Sequence, residues 1–159
     1  MAGSTPWLFV DVDGVLSLFG FDHGSPPAGT WTLVDGIAHR LSATAGRNLL
    51  RLSARFELVW CTGWDDRANL YLPHLLGLGR DLPTLVLDDA SMASKRAAID
   101  AWAPARACAW IDDRLDDSCA AWAAARPAPT LLVRTDPATG LSEDEVRRLE
   151  TWAAGLRSA

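Results

Sequence analysis

Trp7-Leu8-Phe9-Val10-Asp11-Val12-Asp13-Gly14-Val15-Leu16 decides how the rest of the chain is read. Apolar residues run directly into two aspartates one residue apart, and a glycine follows. The unbroken run Leu8 to Val10 is the mark of a strand covered on both faces of a parallel sheet, not of a half-exposed strand, which would alternate. In strand geometry Asp11 and Asp13 project to the same face. Two carboxylates ~4 Å apart repel by about 4 kcal/mol at an effective dielectric of 20, so a strand ending this way calls for positive charge. Gly14 permits a sharp exit with φ > 0. A plain polar Asp-Gly turn is the simpler alternative, because that dipeptide is common by itself. The remainder of the chain decides between the two.

Four further apolar runs follow the first. Phe56 to Cys61 ends at Thr62-Gly63-Trp64-Asp65-Asp66. Thr84 to Leu87 ends at Asp88-Asp89, Ala107 to Ile111 at Asp112-Asp113-Arg114, and Thr130 to Arg134 is the last. Helical patterns lie between them. One runs from Ser42 or Thr44 to Ala54, one from Arg67 to Leu76 with Asp65 or Asp66 as cap, and one from Lys95 to Ala103 with Ser91 or Ser94 as cap. An Ala-rich helix covers 116–125. A capping box, Ser142 to Glu145, opens a final helix with Val146, Leu149 and Trp152 on one face. Strand and helix alternate about five times, which predicts an α/β three-layer sandwich with a mostly parallel, Rossmann-like central sheet of about five strands. The chain, 1–159, reads as a single domain. Residues 14–31, rich in Gly and Pro and carrying Phe19, Phe21 and His23, read as a flap or loop region, with a short strand at Trp31 to Val34.

Composition narrows the class. Apolar residues make up 49% and charged residues 22%, as in an ordinary soluble domain. A net charge of −5 argues against a broadly basic nucleic-acid-binding face while leaving room for a local groove. Met1 to Pro6 lacks the basic and apolar regions of a signal peptide, and no apolar run approaches the ~20 residues of a membrane span. Cys61, Cys108 and Cys119 are odd in number with no CxxC spacing, which points to core thiols in a reducing, cytoplasmic setting. Fourteen arginines accompany a single lysine, Lys95. Arg is the default cation of this chain, so the lone Lys marks either a place that needs a compact point charge or a chance survivor. The tryptophans read mostly as core, with Trp64 expected to line a site.

In open α/β sheets the binding crevice lies beyond the carboxyl ends of the strands. Asp11, Asp13, Thr62, Asp112 and Asp113 all fall at such ends, and Lys95 can reach the same edge. Four acids gathered there are costly unless neutralised. A divalent cation and one lysine would cancel most of the charge, and all-oxygen ligands imply Mg²⁺ rather than zinc.

The D-x-D-G-V of Asp11 to Val15, the strand ending in Thr62, Lys95, and the strand ending in Asp112-Asp113 together resemble the haloacid dehalogenase-like (HAD) superfamily of phosphatases, over nearly the whole chain. More narrowly, Val10 to Leu16, Leu58 to Asp66, Trp110 to Asp113 and Leu131 to Gly140 resemble a small bacterial HAD group linked to RNA repair proteins. The resemblance implies that Asp11 is a nucleophile forming an aspartyl-phosphate, and that Asp13 protonates the leaving oxygen and then activates water. It implies that Thr62 and the Gly63 amide hold phosphoryl oxygens and that Lys95 holds the nucleophile and the phosphoryl group. Mg²⁺ would take the Asp11 carboxylate, the Asp13 backbone carbonyl and Asp112, with Asp113 in support. Asp13 favours phosphate-ester over carbon–halogen cleavage, since a halide leaves without a proton. Neither insertion point of the family holds a full cap domain here, so the site is open to a bulky substrate or borrows a lid from a partner subunit.

The favoured substrate is a nucleic-acid or nucleotide terminal phosphate, with a small-metabolite phosphate as the close alternative. Trp64 and the Phe19–Phe21 flap are expected to stack on a base, and Arg67 and Arg114 to meet backbone phosphates. Two other classes compete. A signalling receiver domain uses the same residue types, but its acid pair is adjacent where this one is D-x-D. A non-catalytic phosphate-binding module on the same scaffold would be expected to have lost Asp11 or Asp13.

Overall fold

The computed structural model describes residues 4–158. In chain order these form β1 (Trp7–Val10), β2 (Ser17–Leu18), β3 (Gly29–Val34), β4 (Ile37–Ser42), α1 (Ala45–Leu52), β5 (Glu57–Trp60), α2 (Arg67–Leu76), α3 (Met92–Trp102), β6 (Cys108–Asp112), α4 (Asp117–Ala125), β7 (Thr130–Arg134) and α5 (Glu143–Leu156). Four strands pair in parallel in the order β5-β1-β6-β7. Side chains alternate across this sheet. Leu8, Val10, Leu58, Trp60, Ala109 and Ile111 pack into one core with α1, α2 and α5 residues such as Leu49, Leu72 and Leu149. Phe9, Val59, Cys61, Cys108 and Trp110 pack into a second core with Ile99 of α3 and Cys119 of α4. Because both faces are covered, the strands read as continuous apolar runs. This is the expected α/β sandwich. No helix among the described residues is long and apolar enough to cross a membrane.

Register places the chemistry. Val10 is level with Trp60 on one side and Ile111 on the other. The residues one step further, Asp11, Cys61 and Asp112, therefore emerge together. Asp11 N–H donates to the Ile111 carbonyl at 3.1 Å, and Cys61 N–H to the Val10 carbonyl at 2.9 Å. β1 is central, and the chain returns from the β5 side to the β6 side across it, which is where such sheets open a crevice.

Caps start the helices, and with Ser91 as the cap α3 begins at Met92 rather than at the expected Lys95. The Ser91 hydroxyl accepts from Ser94 N–H at 3.1 Å, and the Asp116 carboxylate from Cys119 N–H at 2.9 Å. Ser142 N–H donates to Glu145 at 2.8 Å, the reciprocal half of the capping box. Asp66 stands at the N-cap of α2 but its side chain caps nothing.

Three expectations need correction. The strand expected at Thr84 to Leu87 reduces to a single parallel bridge, Thr84 with Trp60. Trp60 donates to the Pro83 carbonyl and accepts from Leu85 N–H, after which Val86 turns out to solvent, 91% exposed. The helix read from Ser42 or Thr44 to Ala54 is Ala45–Leu52, because Ser42 belongs to β4. The flap is not a loop followed by one short strand. It is a three-stranded antiparallel sheet in the order β2-β4-β3. Asp35 and Gly36, with φ of 50° and 80°, make the tight turn between β3 and β4, the backbone that Asp-Gly hairpins adopt.

Candidate active site

Asp11, Asp112 and Asp113 converge at the carboxyl edge of β1 and β6, with one oxygen from each within 4.8 Å of the others. Asp112 is fully buried and Asp11 nearly so. Lys95, on the first turn of α3, reaches in from the far side with 1% of its surface exposed. Its ammonium lies 2.6 Å from Asp112 Oδ2 and 3.3 Å from Asp11 Oδ1. The loop before α3 is pinned so that this reach is possible: Asp88 and Asp89 N–H groups donate to Ser94 Oγ at 3.0 and 3.3 Å. Arg cannot replace a lysine here, since the slot between two carboxylates holds a point charge and not a planar fork.

The electrostatics are unbalanced. Burial, then the neighbouring Asp112 charge, push the Asp11 carboxyl from 3.8 up to about 7, even with Lys95 opposing. Burial and Asp112 likewise raise Asp113. Burial works against the Lys95 ammonium, but Asp11 and Asp112 outweigh it and hold Lys95 above its usual range. With all three carboxyl groups ionised, one ammonium leaves two negative charges, which is what a divalent cation cancels. Every donor is a carboxylate oxygen, the set that suits Mg²⁺. The residues present therefore fit the metal. Cys61, beside this cluster, is a thiol that burial pushes far up, so it is no nucleophile.

Gly14 matters for space as well as backbone. Its φ is +79°, and a methyl group built there would overlap the Asp113 carboxyl. Its carbonyl accepts from the buried Thr135 hydroxyl at 2.7 Å. Gly14→Ala is expected to cost more than the ~1 kcal/mol typical of an incompatible Gly→Ala change, and to weaken Mg²⁺ binding by moving Asp113. Urea denaturation and a Mg²⁺ titration check both effects.

Thr62 is buried directly after β5, where its Oγ1 accepts from Trp64 N–H at 3.2 Å. Gly63 lines a cavity of about 290 Å³ with Asp13, Val34, Ile37, His39, Trp64, Arg67 and Ala90. Asp13 sits at its mouth with 54% of its side chain exposed. Trp64, expected to offer its face to a substrate base, is buried instead. Its ring edge packs on His39 at 4.8 Å between centroids, and its Nε1–H donates to Asp13 Oδ2 at 3.1 Å. The two arginines expected to meet phosphates have protein partners. Arg67 pairs with Asp35 at 3.0 Å, and Arg114 donates to the Ala90 carbonyl at 2.6 Å. Phe19 and Trp31 are the exposed aromatics of the flap.

His39 was not singled out from sequence. It lies on β4 with Nδ1 2.9 Å from Ser17 Oγ and 3.7 Å from Asp13 Oδ1. The Asp35-Gly36 turn was the available signal, because it implies a second strand through His39 and a return toward Asp13.

No curated protein matches the chain. A family model described as the HAD domain in Swiss Army Knife RNA repair proteins matches residues 7–146, from the first residue of β1 into α5. That span contains every residue of the acidic edge, and the chain belongs to this family of HAD domains.

Proposed function

We propose that the protein is a Mg²⁺-dependent phosphomonoester hydrolase that works through an aspartyl-phosphate on Asp11, and that its substrate is the terminal phosphate of a nucleic acid or nucleotide. The observation that carries this reading is the convergence of Asp11, Asp112 and Asp113 around Lys95, with Asp13 exposed two residues beyond the buried Asp11. The family is of hydrolase and phosphatase type, which supports the reaction class.

In this reading the Asp11 carboxylate attacks phosphorus. The ester P–O bond breaks, and the electron pair leaves with an alkoxide that takes a proton from Asp13. Water then attacks the aspartyl-phosphate and gives its proton to Asp13. The bond to Asp11 breaks, releasing phosphate and restoring both carboxyl groups. Thr62 and the Gly63 amide hold phosphoryl oxygens, and Lys95 offsets their charge. Mg²⁺, held by Asp11, Asp112, Asp113 and the Asp13 backbone carbonyl, would keep Asp11 ionised and supply positive charge at the phosphoryl group. If so, saturation at 100 times the dissociation constant raises stability by about 2.7 kcal/mol. Thermal melts are expected to show that shift in the wild type and none in Asp112→Ala.

Three features support a nucleic-acid end. The flap is a small sheet and leaves Asp13 exposed, the flap carries Phe19 and Trp31 in solvent, and the family description names RNA repair proteins. A small-metabolite phosphate remains the alternative, since the cavity beside Asp13 is of single-nucleoside size. A 3′- or 5′-phosphorylated oligonucleotide is expected to have a kcat/KM about tenfold or more above that of the matching mononucleotide, the worth of one stacked base. Equal values at low and moderate salt would assign the enzyme to small metabolites. Failure to release phosphate from any monoester in Mg²⁺ would end the phosphatase reading.

A further inference from the structure

We infer that Trp64 and His39 are positioning residues that clamp Asp13, so that the antiparallel flap sets the orientation of the proton-transferring carboxyl; this rests on the phosphatase reading above. An aspartate with 54% of its side chain exposed ordinarily samples several rotamers. Asp13 does not stand alone in this way. Trp64 is buried, and its Nε1–H donates to Asp13 Oδ2 at 3.1 Å. A buried indole N–H without an acceptor is costly, so the bond binds both partners to one geometry. His39 stands over the other oxygen, with Nδ1 3.7 Å from Oδ1, beyond hydrogen-bond distance. Among the described residues Oδ1 accepts no hydrogen bond, so it is the oxygen left to carry the proton.

The clamp is itself held. Ser17 Oγ fixes His39 Nδ1 at 2.9 Å, and the His39 ring meets Trp64 at 4.8 Å in a tilted, edge-to-face contact. Ser17 is the first residue of β2, and it bridges directly to Asp13. Gly14 N–H donates to the Ser17 carbonyl at 2.7 Å. Three separate segments therefore meet at one carboxyl: the turn after β1, strand β4 of the flap, and the loop after β5. The cavity of about 290 Å³ opens against this clamp, lined by Asp13, Trp64 and His39 together with Val34 and Ile37 as an apolar wall. It is the seat for the leaving group, next to the acid that must protonate it.

Leaving-group chemistry separates this role from a general structural one. An alkoxide needs the proton of Asp13 as the ester bond breaks, whereas p-nitrophenolate does not. The second half-reaction, attack of water on the aspartyl-phosphate, needs Asp13 whatever the ester was. Because kcat/KM reports the steps through formation of the intermediate, a misoriented Asp13 lowers kcat/KM for an alkyl ester and spares it for an aryl ester. On the aryl ester kcat and KM fall together instead.

The test compares a ribonucleoside 3′-phosphate with p-nitrophenyl phosphate in Mg²⁺, for wild type, Trp64→Phe and His39→Gln. For Trp64→Phe the kcat/KM loss on the nucleotide is expected to exceed the loss on the aryl ester by about tenfold or more, the worth of a hydrogen bond to a charged group, and for His39→Gln, which removes a packing contact and no hydrogen bond to Asp13, by a smaller factor in the same direction. His39→Gln lies on the flap, removes the ring packed against Trp64 and keeps the Trp64 N–H donor to Asp13, so it tests the second arm of the clamp separately. Equal losses on the two esters, or no loss on either, would overturn the clamp while leaving the phosphatase reading intact. A wild type that hydrolyses neither ester overturns both.

Discussion

Asp11→Asn is expected to lower phosphate release by at least about 10⁴-fold, the scale seen when a covalent nucleophile is removed. The amide is a poor nucleophile, and three of its neighbours are unsuited to take its place. Cys61 is buried with its thiol pushed up, and Lys95 is held between Asp11 and Asp112. Asp112 is fully buried and paired with Lys95. Asp13→Asn is expected to differ in kind. Loss of a general acid and base costs about 10²–10⁴-fold, but an aryl ester should still transfer its phosphoryl group to Asp11 and then stall. A burst of p-nitrophenol equal to the enzyme concentration, followed by slow release, is the expected trace.

Lys95→Met is expected to produce the largest loss of stability of any single substitution at the site. Removing one partner of a buried pair leaves the other charge uncompensated and costs about 3–5 kcal/mol. Here two carboxylates, Asp11 and Asp112, lose their only ammonium among the described residues. The sign of the pH dependence follows from Asp11. Its folded carboxyl is pushed up to about 7 against 3.8, so between those values the folded chain binds more protons than the unfolded chain. Without metal, stability from this group is present at low pH and is lost as pH rises toward about 7. Lys95→Met removes the charge that limits the rise, so its deficit in EDTA is expected to be level near pH 5 and to grow as pH rises through about 7 to about pH 8. Urea titrations at the two ends check it, and saturating Mg²⁺ should return part of the loss.

The acidic edge was legible because apolar runs that stop at charged residues are hard to explain otherwise. Parallel pairing then brings the stops level, as Val10 does with Trp60 and Ile111. Two helix caps were legible for a similar reason: Ser91 and Ser142 satisfy backbone groups that an ordinary residue leaves bare, whereas the cap expected at Asp65 or Asp66 does not form. The flap was not. Its strands are half-exposed and lie among Gly and Pro, so their alternation is weak, and β4 went unread although Asp35-Gly36 announces it. Thr84 to Leu87 has the composition of a strand, but only Trp60 is placed to pair with it.

Side-chain partners were the least legible. Nothing local distinguishes a Trp64 that faces a ligand from one that turns its N–H to Asp13, and a lone His39 carries no signal until β4 folds back over β2. Arg67 and Arg114 looked like free cations because long side chains can reach many partners, and Asp35 and the Ala90 carbonyl are distant in sequence from each.

The most direct measurement is the location of the phosphoryl group. Asp13→Asn, mixed with p-nitrophenyl phosphate and Mg²⁺ and quenched within the burst, is to be digested and read by mass spectrometry. One added phosphoryl group on the peptide carrying Asp11, absent from the double variant with Asp11→Asn, is the result this mechanism predicts. A phosphoryl group on any other residue, or turnover with none on the protein, would contradict it.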